Sequence, residues 1–344
     1  MRRQPTIREV AAEAGVSVST VSLALNVPTR VSQATRERVL AAVDTLGFVP
    51  KADAVARARR GVGRVGVIAP FTSYPTVARR LNGVLRAVGA RPVEIVLFDQ
   101  ESAARSVSPL LGSLPVTGRL DGLIVISLPL EAEVADRLVT QRLPTVLVDV
   151  RHPGFDSVYT DDHLGGRLAA EHLLARGHRR FGFVGEAQRS GRYVSPSERR
   201  LAGFRAALAD AGHPLGPGDV RLAAPGSGAA PAVPPATDLL TRADGRPTAV
   251  FAADDTLAAG VLRAARELGL SVPGELAVIG FDDGEAAETL ALTTVRQPLA
   301  ESGNAAMERL LHRLDRRKNG LDLAGSAAVR EVELGLDLIV RATA

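Results

Sequence analysis

The sequence predicts an N-terminal all-α head with a helix-turn-helix, followed by an α/β body of two doubly wound parallel-sheet lobes. Three observations lead to this fold class. Capped helical patterns fill the first 50 residues, short Val/Ile/Leu runs alternate with helical patterns from Arg64 onward, and a break near residues 159–161 divides those runs into two series. Apolar strands separated by helices are typical of parallel sheets that helices cover on both faces.

The head carries start and stop signals for three short helices. A Ser or Thr at the N-cap accepts a hydrogen bond from a free backbone amide, and Gly or Asn often follows the last turn. Thr6 and Glu9 also match the S/T-x-x-E capping box. The expected N-caps are Thr6, Ser17 and Ser32, and the expected stops are Gly15, Asn26 and Gly47. The expected inward faces are Ile7, Val10, Ala11 and Ala14, then Val18, Val21 and Leu25, then Val39, Leu40, Val43 and Leu46.

The distribution of charge separates the head from the body. Residues 1–64 contain ten arginines and Lys51 against five carboxylates, an excess of six positive charges, whereas the whole chain of 344 residues has a formal net charge of +4. A compact basic segment on a near-neutral body is typical of a nucleic-acid-binding module attached to another domain.

Composition excludes several classes of protein. The chain has no cysteine, so disulfides and thiolate metal sites are excluded. The N-terminus MRRQPTIREV lacks the apolar run of a secretion signal, and no stretch approaches the roughly 20 apolar residues of a membrane span. The six histidines have no metal-ligand spacing. We therefore expect a cytoplasmic protein without membrane contact, metal or cofactor.

The tight turn Ala14-Gly15-Val16-Ser17 predicts that the second helix enters the major groove of DNA. The side chains expected to face base edges are Val18, Ser19 and Leu23. The hydroxyls expected to contact phosphates are those of Ser17, Thr20 and Ser22, helped by the helix N-terminus.

The string TIREVAAEAGVSVSTVSLALN, followed by VSQATRERVLAAVDTLGFVP, closely resembles the head of the LacI/GalR repressor family. Thr6 and Asn26, at the two ends of the first string, complete the predicted DNA-binding set in the head. The family usually has Arg where this chain has Leu23, so a different base preference is expected there. The family's hinge helix wedges a leucine into the minor groove; Arg57 stands at that position, or a shifted register brings Val55 to it.

The resemblance continues through the body, in AAEHLLARGHRRFGFVG, ERRLAGFRAAL, the segment from PTAVFAADD to ELAVIGFDD, and LTTVRQP. It implies an effector-binding core similar to periplasmic sugar-binding proteins, with the ligand between the lobes. The implied effector contacts are Ser73, Asp149, Arg200, Asp254 and Asp282. The expected domains are a head at 1–50, a hinge at 51–62, one lobe at 63–160 with about 291–324, and a second lobe at 161–290 with about 325–344.

Carboxylates and a guanidinium suit the hydroxyls of a sugar, which is the leading expectation for the effector, with anionic and nitrogenous small molecules as alternatives. Asp254 has a competing interpretation as an N-cap of the following helix, and Asp255 more so. The family usually has Asn at the position of Asp254. Asp283 is expected to be structural, and Tyr193 with Arg192 could form a lid.

These signals together predict a sequence-specific transcriptional repressor, not an enzyme, that binds a pseudo-palindromic double-stranded DNA operator as a homodimer and whose operator affinity changes with the effector. The first body helix, through Val77, Leu81, Val84 and Leu85, is expected to contribute to the dimer surface. A co-repressor-dependent regulator of the same fold is the alternative, and a solute-binding protein without DNA function is a remote one. The G-x-G-x-x-G match at 61–66 precedes the first strand, which argues against a nucleotide-binding enzyme.

Overall fold

The computed structural model describes residues 5–26, 28–48, 63–72, 74–102, 109–113, 119–188, 193–224, 228–243, 245–319 and 328–344. The chain divides into two compact units. Unit 1 comprises residues 1–72, 80–159 and 300–332, and unit 2 comprises residues 73–79, 160–299 and 333–344. None of the helices in the described ranges has the length and apolar character needed to cross a bilayer.

The head, which belongs to unit 1, contains the three helices that the cap signals predict. They are α1 (Ile7–Glu13), α2 (Val18–Asn26) and α3 (Gln33–Leu46), with a 3₁₀ turn at Pro28–Arg30. The side chain of Thr6 and that of Glu9 bond to each other's backbone amides, as a capping box requires, and Gly15 and Gly47 have φ of +63° and +61°. Ser17 accepts from the amide of Thr20 at 3.1 Å.

The three helices of the head share a small core. It contains the buried side chains Val10, Ala11, Ala14, Val21, Ala24, Leu25, Val39, Leu40, Ala42, Val43 and Phe48. The prediction for Val18 as an inward residue is wrong, because its side chain is 42% exposed. Ala24, at the spacing of three from Val21, is buried instead.

Two side chains outside the head hydrogen-bond to its third helix and to Phe48, which follows that helix. The guanidinium of Arg137 donates to both carboxylate oxygens of Asp44 at 2.8–3.0 Å, and the side-chain amide of Gln141 donates to the carbonyl of Phe48 at 3.1 Å. These bonds anchor α3 against the helix that carries Arg137.

The sheet of unit 1 has the strand order β11-β5-β4-β3-β1-β2. The strands are β1 (Gly63–Ala69), β2 (Val93–Asp99), β3 (Gly122–Ile126), β4 (Thr145–Val148), β5 (Asp156–Thr160) and β11 (Glu331–Leu334). The helices in sequence with them are α4 (Thr76–Val88), α5 (Pro109–Ser113), α6 (Ala132–Thr140) and α12 (Leu299–Lys318). All pairs from β2 to β5 are parallel, and the order reverses between β1 and β3.

The sheet of unit 2 has the order β12-β10-β9-β8-β6-β7, which repeats the winding of unit 1. Its strands are β6 (Phe181–Glu186), β7 (Val220–Ala223), β8 (Ala249–Ala252), β9 (Ala277–Asp282), β10 (Thr293–Arg296) and β12 (Asp337–Ile339). Its helices are α7 (Asp162–Ala175), α8 (Pro196–Asp210), α9 (Val233–Leu240), α10 (Asp255–Glu267) and α11 (Glu285–Thr289). In such sheets ligands bind beyond the carboxyl ends of the strands, where the strand order reverses.

In each unit two helices pack closely where a glycine of each helix faces the backbone of the other. In unit 2 a Cβ on Gly203 would lie 1.8 Å from the carbonyl oxygen of His163, and one on Gly166 would lie 1.9 Å from that of Arg200. In unit 1 Gly83 and Gly303 make the same kind of approach between α4 and α12. Only glycine permits backbones this close.

The expected dimer face on α4 needs a correction. Val77 and Val84 are 1% and 0% exposed and belong to the core of the protomer. Leu85, at 50% exposure, is the outward apolar side chain of that set.

Candidate functional site

The first turn of α2 presents a group of hydroxyls. The Oγ of Ser17 lies 2.8 Å from both the Oγ of Ser19 and the Oγ1 of Thr20. Ser17, Val18 and Ser19 are exposed, so the turn that is predicted to meet DNA is open to solvent. Each hydroxyl has a second lone pair or its proton available for a phosphate or base.

The remaining predicted DNA contacts have different surroundings. Thr6 donates its hydroxyl to the carboxylate of Glu9 at 2.9 Å, so part of its hydrogen-bonding capacity serves the cap. Leu23 and Ser22 are half-buried on α2. Asn26 is the last residue of α2, although its side chain is outside the description, and Val55 and Arg57 lie outside the described residues.

Arg200 of α8 is the centre of a buried polar group in unit 2. Its Nε donates to Asp162 Oδ1 at 2.9 Å, and its Nη1 donates to the carbonyl of Ala253 at 2.6 Å. Its guanidinium carbon lies 3.6 Å from the centroid of the Phe281 ring. Burial alone lowers the pKa of Arg200, but the neighbouring carboxylates of Asp162 and Asp282 outweigh it and raise the pKa. Arg200 is therefore a fixed cation.

Asp282 ends β9 beside this cation. Its Oδ1 is 3.8 Å from Arg200 Nη1 and accepts from the side-chain amide of Gln297 at 2.5 Å. Its backbone has φ of +105°, which is uncommon for a residue other than glycine. Asp283 instead binds Arg296 at 2.7 Å and Arg341 at 2.6 Å, in agreement with its expected structural role.

The two aspartates that follow β8, Asp254 and Asp255, have different roles. Asp254 is the N-cap of α10, since its Oδ1 accepts from the amide of Leu257 at 2.7 Å. Burial raises its pKa, and the Leu257 amide and Arg200 oppose that rise. Asp255 is not a cap: it accepts from Thr294 Oγ1 at 2.6 Å and from the amide of Gly284 at 2.7 Å.

The carboxyl group of Asp255 is strongly affected by its surroundings. Burial, followed by the negative charge of Asp282, raises its pKa to about 8. Asp255 is therefore mainly protonated at neutral pH, and its role is to join the start of α10 to β10 and to the loop after β9.

Two tyrosines lie near the same ends of the strands. Tyr74 donates its hydroxyl to Glu186 Oε2, at the end of β6, at 2.5 Å. Tyr193 is 9% exposed and so is part of the packed structure of unit 2. Arg192, its suggested partner in a lid, lies outside the described residues, as does Ser73.

In unit 1 the predicted effector residue Asp149 follows β4 at φ +62°. It accepts from Arg80 Nη2 at 2.9 Å and from the hydroxyl of Ser127 at 2.6 Å. No described residue accepts from the buried Nε of Arg80. The carboxyl ends of β3 and β4 therefore carry a carboxylate, a hydroxyl and a buried guanidinium.

Sequence reasoning missed the residues that surround the predicted ones. These are Tyr74, Arg80, Ser127, Asp162, Glu186 and Gln297. Ser127 and Glu186 had a usable signal, because each stands where an apolar strand ends. Arg80 had none, since one arginine within a helix that also contains Arg79 and Arg86 has no distinguishing spacing.

Comparisons with known proteins agree with this architecture. Residues 6–51 match the model of bacterial regulatory proteins of the lacI family, and residues 170–343 match a periplasmic binding protein-like domain. The ribose operon repressor of Escherichia coli (strain K12) is 33% identical over 318 residues, covering 90% of this chain and 93% of the relative.

Two solved structures show the likeness over the whole chain. The transcriptional regulator CelR in complex with cellobiose has a TM-score of 0.69 at 28% identity, and covers 99% of this chain and 100% of its own. The lac repressor dimer bound to operator and the anti-inducer ONPF has a TM-score of 0.66 at 26% identity, with 99% of each chain covered. The predicted fold class and family are confirmed: the chain belongs to the lacI family of bacterial regulatory proteins and is a DNA-binding transcriptional repressor, not an enzyme.

Proposed function

We propose that this repressor binds a pseudo-palindromic operator as a homodimer and is released from it by a sugar that binds at the carboxyl ends of the strands of unit 2. The observation that carries the proposal is the convergence of Arg200, Asp254 and Asp282 in one buried group. Elements far apart in sequence supply the three side chains, and a buried cation among carboxylates fixes their orientation before any ligand arrives.

The chemistry of this group favours hydroxyl-rich ligands. Carboxylates accept from sugar hydroxyls, and a guanidinium donates in a planar fork that orients neighbouring oxygens. Aromatic residues make up 3% of the chain and tryptophan is absent, so recognition by hydrogen bonds has more weight here than stacking. The names of the relatives point the same way, since they include a ribose operon repressor and a complex with cellobiose.

We propose Asp149 and Ser73 as further effector contacts. Asp149 is held in place by Arg80 and Ser127, as a ligand-orienting carboxylate must be. The buried Nε of Arg80, for which no described residue is an acceptor, is consistent with a ligand oxygen nearby.

For the operator we propose Val18, Ser19 and Leu23 as base contacts and Thr6, Ser17, Thr20, Ser22 and Asn26 as backbone contacts. The exposure of the first turn of α2 and the hydroxyl group centred on Ser17 support this assignment. Val55 and Arg57 are proposed as hinge contacts in the minor groove. Homodimerisation places two heads on the two half-sites of the operator.

The test is operator binding by fluorescence anisotropy, on DNA that flanks the protein's own gene, at two salt concentrations and across a panel of sugars. We expect tight, salt-sensitive binding that one sugar weakens by roughly 5–150-fold, the usual range of allosteric coupling. A sugar that strengthens binding would establish the co-repressor mode. If no sugar changes binding, while an anionic or nitrogenous metabolite does, the proposed effector class is wrong.

The variant Asp254→Asn separates the proposed role of Asp254 in effector binding from its role as the N-cap of α10. Asparagine is as good an N-cap as aspartate, so α10 keeps its first hydrogen bond while one negative charge is removed. For a sugar that donates to this carboxylate, we expect effector affinity to fall about tenfold, while operator affinity without effector stays unchanged. The control is Asp238→Asn, which removes a charge from α9 at an exposed side chain. Tighter effector binding by Asp254→Asn would indicate an anionic ligand instead.

A further inference from the structure

A polar cavity lies in unit 1, and none of its lining residues belongs to the proposed effector site. It has a volume of about 210 Å³ and is lined by Asp156, Arg309, His312, Arg313, Arg316, Ala328 and Arg330. Four arginines and one carboxylate line it, so three positive charges are in excess. Cavities that take drug-sized ligands start at about 300 Å³, so this one suits a smaller group.

The carboxylate of Asp156 in the cavity already accepts as many hydrogen bonds as it can. Asp156 Oδ1 accepts from Arg313 Nη2 at 2.6 Å and from the amide of Arg330 at 2.9 Å, and Oδ2 accepts from Arg313 Nε at 2.9 Å and Arg309 Nε at 3.2 Å. These four hydrogen bonds fill the roughly four acceptor positions of a carboxylate. Asp156 therefore cannot satisfy the other guanidinium N–H groups around the cavity.

Asp156 is ionised in this setting. Burial by itself raises its pKa, but the hydrogen bond from Arg313, the Arg330 amide and the two guanidinium charges outweigh burial and lower it. Its single negative charge is thus fully present, and three positive charges around the cavity remain uncompensated by it. A group with several oxygens and more than one negative charge matches both the surplus charge and the surplus donors.

We propose that this cavity, between α12 and the segment 328–330, binds a phosphate group, either as inorganic phosphate or as the monoester of a small metabolite. Arg309 and Arg330 supply donors that Asp156 leaves over, Arg316 also lines the cavity, and Arg313 remains hydrogen-bonded to Asp156. Three segments of unit 1 meet there: β5, α12 and the approach to β11. Each of these adjoins a point where the chain passes between the units, at 159/160, 299/300 and 332/333.

Isothermal titration of the full chain with inorganic phosphate, in chloride buffer of matched ionic strength, tests the proposal. We expect saturable binding to the wild type. Arg330→Gln should weaken it about tenfold, the effect of one charge-assisted hydrogen bond. The Arg330 side chain is exposed and its bond to Asp156 comes from the backbone, so the variant keeps the fold. The matched control Lys318→Gln removes one charge from the exposed last residue of α12, outside the cavity lining, and should bind phosphate as the wild type does.

The source of the phosphate follows from two further titrations, with ribose 5-phosphate and with ribose. A tighter ribose 5-phosphate signal that Arg330→Gln weakens, with a ribose signal that Arg330→Gln leaves unchanged, identifies a phosphomonoester. Equal affinity for ribose 5-phosphate and inorganic phosphate identifies the free ion.

Three results would overturn the proposal. One is the absence of saturable binding to the wild type. Another is equal binding by wild type and Arg330→Gln. The third is a loss of operator affinity and of its salt dependence in Arg330→Gln, with no phosphate binding, because the arginines would then contact the DNA backbone instead.

Discussion

Val18 and Val21 belong to the same helix and have opposite surroundings. Val18 is 42% exposed on the first turn of α2, whereas Val21 is completely buried among the three helices of the head. An apolar side chain held in water at the start of a helix-turn-helix is positioned to contact a thymine methyl. The proposed role of Val18 in DNA recognition is therefore separable from the role of Val21 in the core of the head.

The matched pair Val18→Ala and Val21→Ala tests this separation. Val18→Ala should reduce operator affinity by about tenfold and leave the unfolding free energy within about 0.5 kcal/mol of the wild type. Val21→Ala should lower the unfolding free energy of the head by about 2 kcal/mol, because it leaves a cavity in a small core. Urea unfolding and fluorescence anisotropy measure the two effects. Equal losses of stability would contradict the exposure of Val18.

Asp255 predicts how the stability of unit 2 depends on pH. Its pKa is about 8 in the folded protein and near 3.9 when unfolded, so between these values the folded state holds a proton that the unfolded state releases. The stabilisation is fully present below about pH 4 and is lost as the pH rises through about 8. The residue thus destabilises unit 2 progressively toward alkaline pH.

Asp255→Asn should remove the contribution of Asp255 to this dependence, since the amide keeps the shape and can still bond Gly284 and Thr294. Asp254, whose pKa is also raised, is present in both proteins. We expect the wild type to lose more stability than the variant between pH 5 and pH 8, measured by urea unfolding at both values. Asp156 and Asp283, whose pKa values are lowered, stay ionised across this range and do not contribute. Parallel pH profiles of wild type and variant would contradict the protonated state of Asp255.

At the scale of the elements, the helices were predictable and several strands were not. Cap residues such as Thr6, Ser17 and Ser32 are local signals, so α1, α2 and α3 begin where they predict. β5, with the sequence DSVYT, and β12, with DLI, lack an apolar run because each lies near the edge of its sheet. Their pairing depends on neighbours distant in sequence, which no local pattern contains.

The glycine contact between α7 and α8 is the element that positions Arg200, because Gly203 and Gly166 bring the two helix backbones together beside it. Gly203→Ala should force α7 and α8 apart and lower the unfolding free energy of unit 2 by about 3 kcal/mol, the upper end of the usual cost of overpacking. Effector affinity should fall with it. Gly335→Ala, where a Cβ meets nothing within 4 Å, is the control and should change stability by less than about 0.5 kcal/mol. Chemical unfolding of the two variants measures both effects. Equal stability of Gly203→Ala and Gly335→Ala would contradict the close approach of α7 and α8.

At the scale of the whole molecule, the fold class and the family were accessible from the sequence because strand runs, cap signals and the head motif are all local. The site was accessible only in part. Arg200, Asp254 and Asp282 were proposed from their positions in the family pattern, whereas the pairing of Arg80 with Asp149 and of Asp255 with Thr294 joins residues 69 and 39 positions apart. Such pairs arise from the winding of the sheet and from nothing visible in a window of sequence.

The separate core of the head and the separate sheets of the body lead to a prediction about truncation. A chain that begins at residue 61 should remain folded, bind the effector with unchanged affinity and lose operator binding entirely. The bond between Arg137 and Asp44 is the main described polar link that this removes, and its loss should cost about 1 kcal/mol or less because Asp44 is exposed. Circular dichroism and effector titration of the shortened chain are the measurements. An unfolded product would show that the body needs the head.

The division of unit 1 into separate stretches of sequence has a consequence for synthesis on the ribosome. The residues from 160 to 299 emerge between the two parts of unit 1 that meet at Asp156. At roughly 5–20 residues per second, that interval lasts about 7–30 s. During this time β1 to β5 exist without α12 and β11, and Asp156 has none of its arginines. A premature stop codon beyond residue 300 would therefore damage the first lobe that the ribosome made, while leaving most of the second lobe complete.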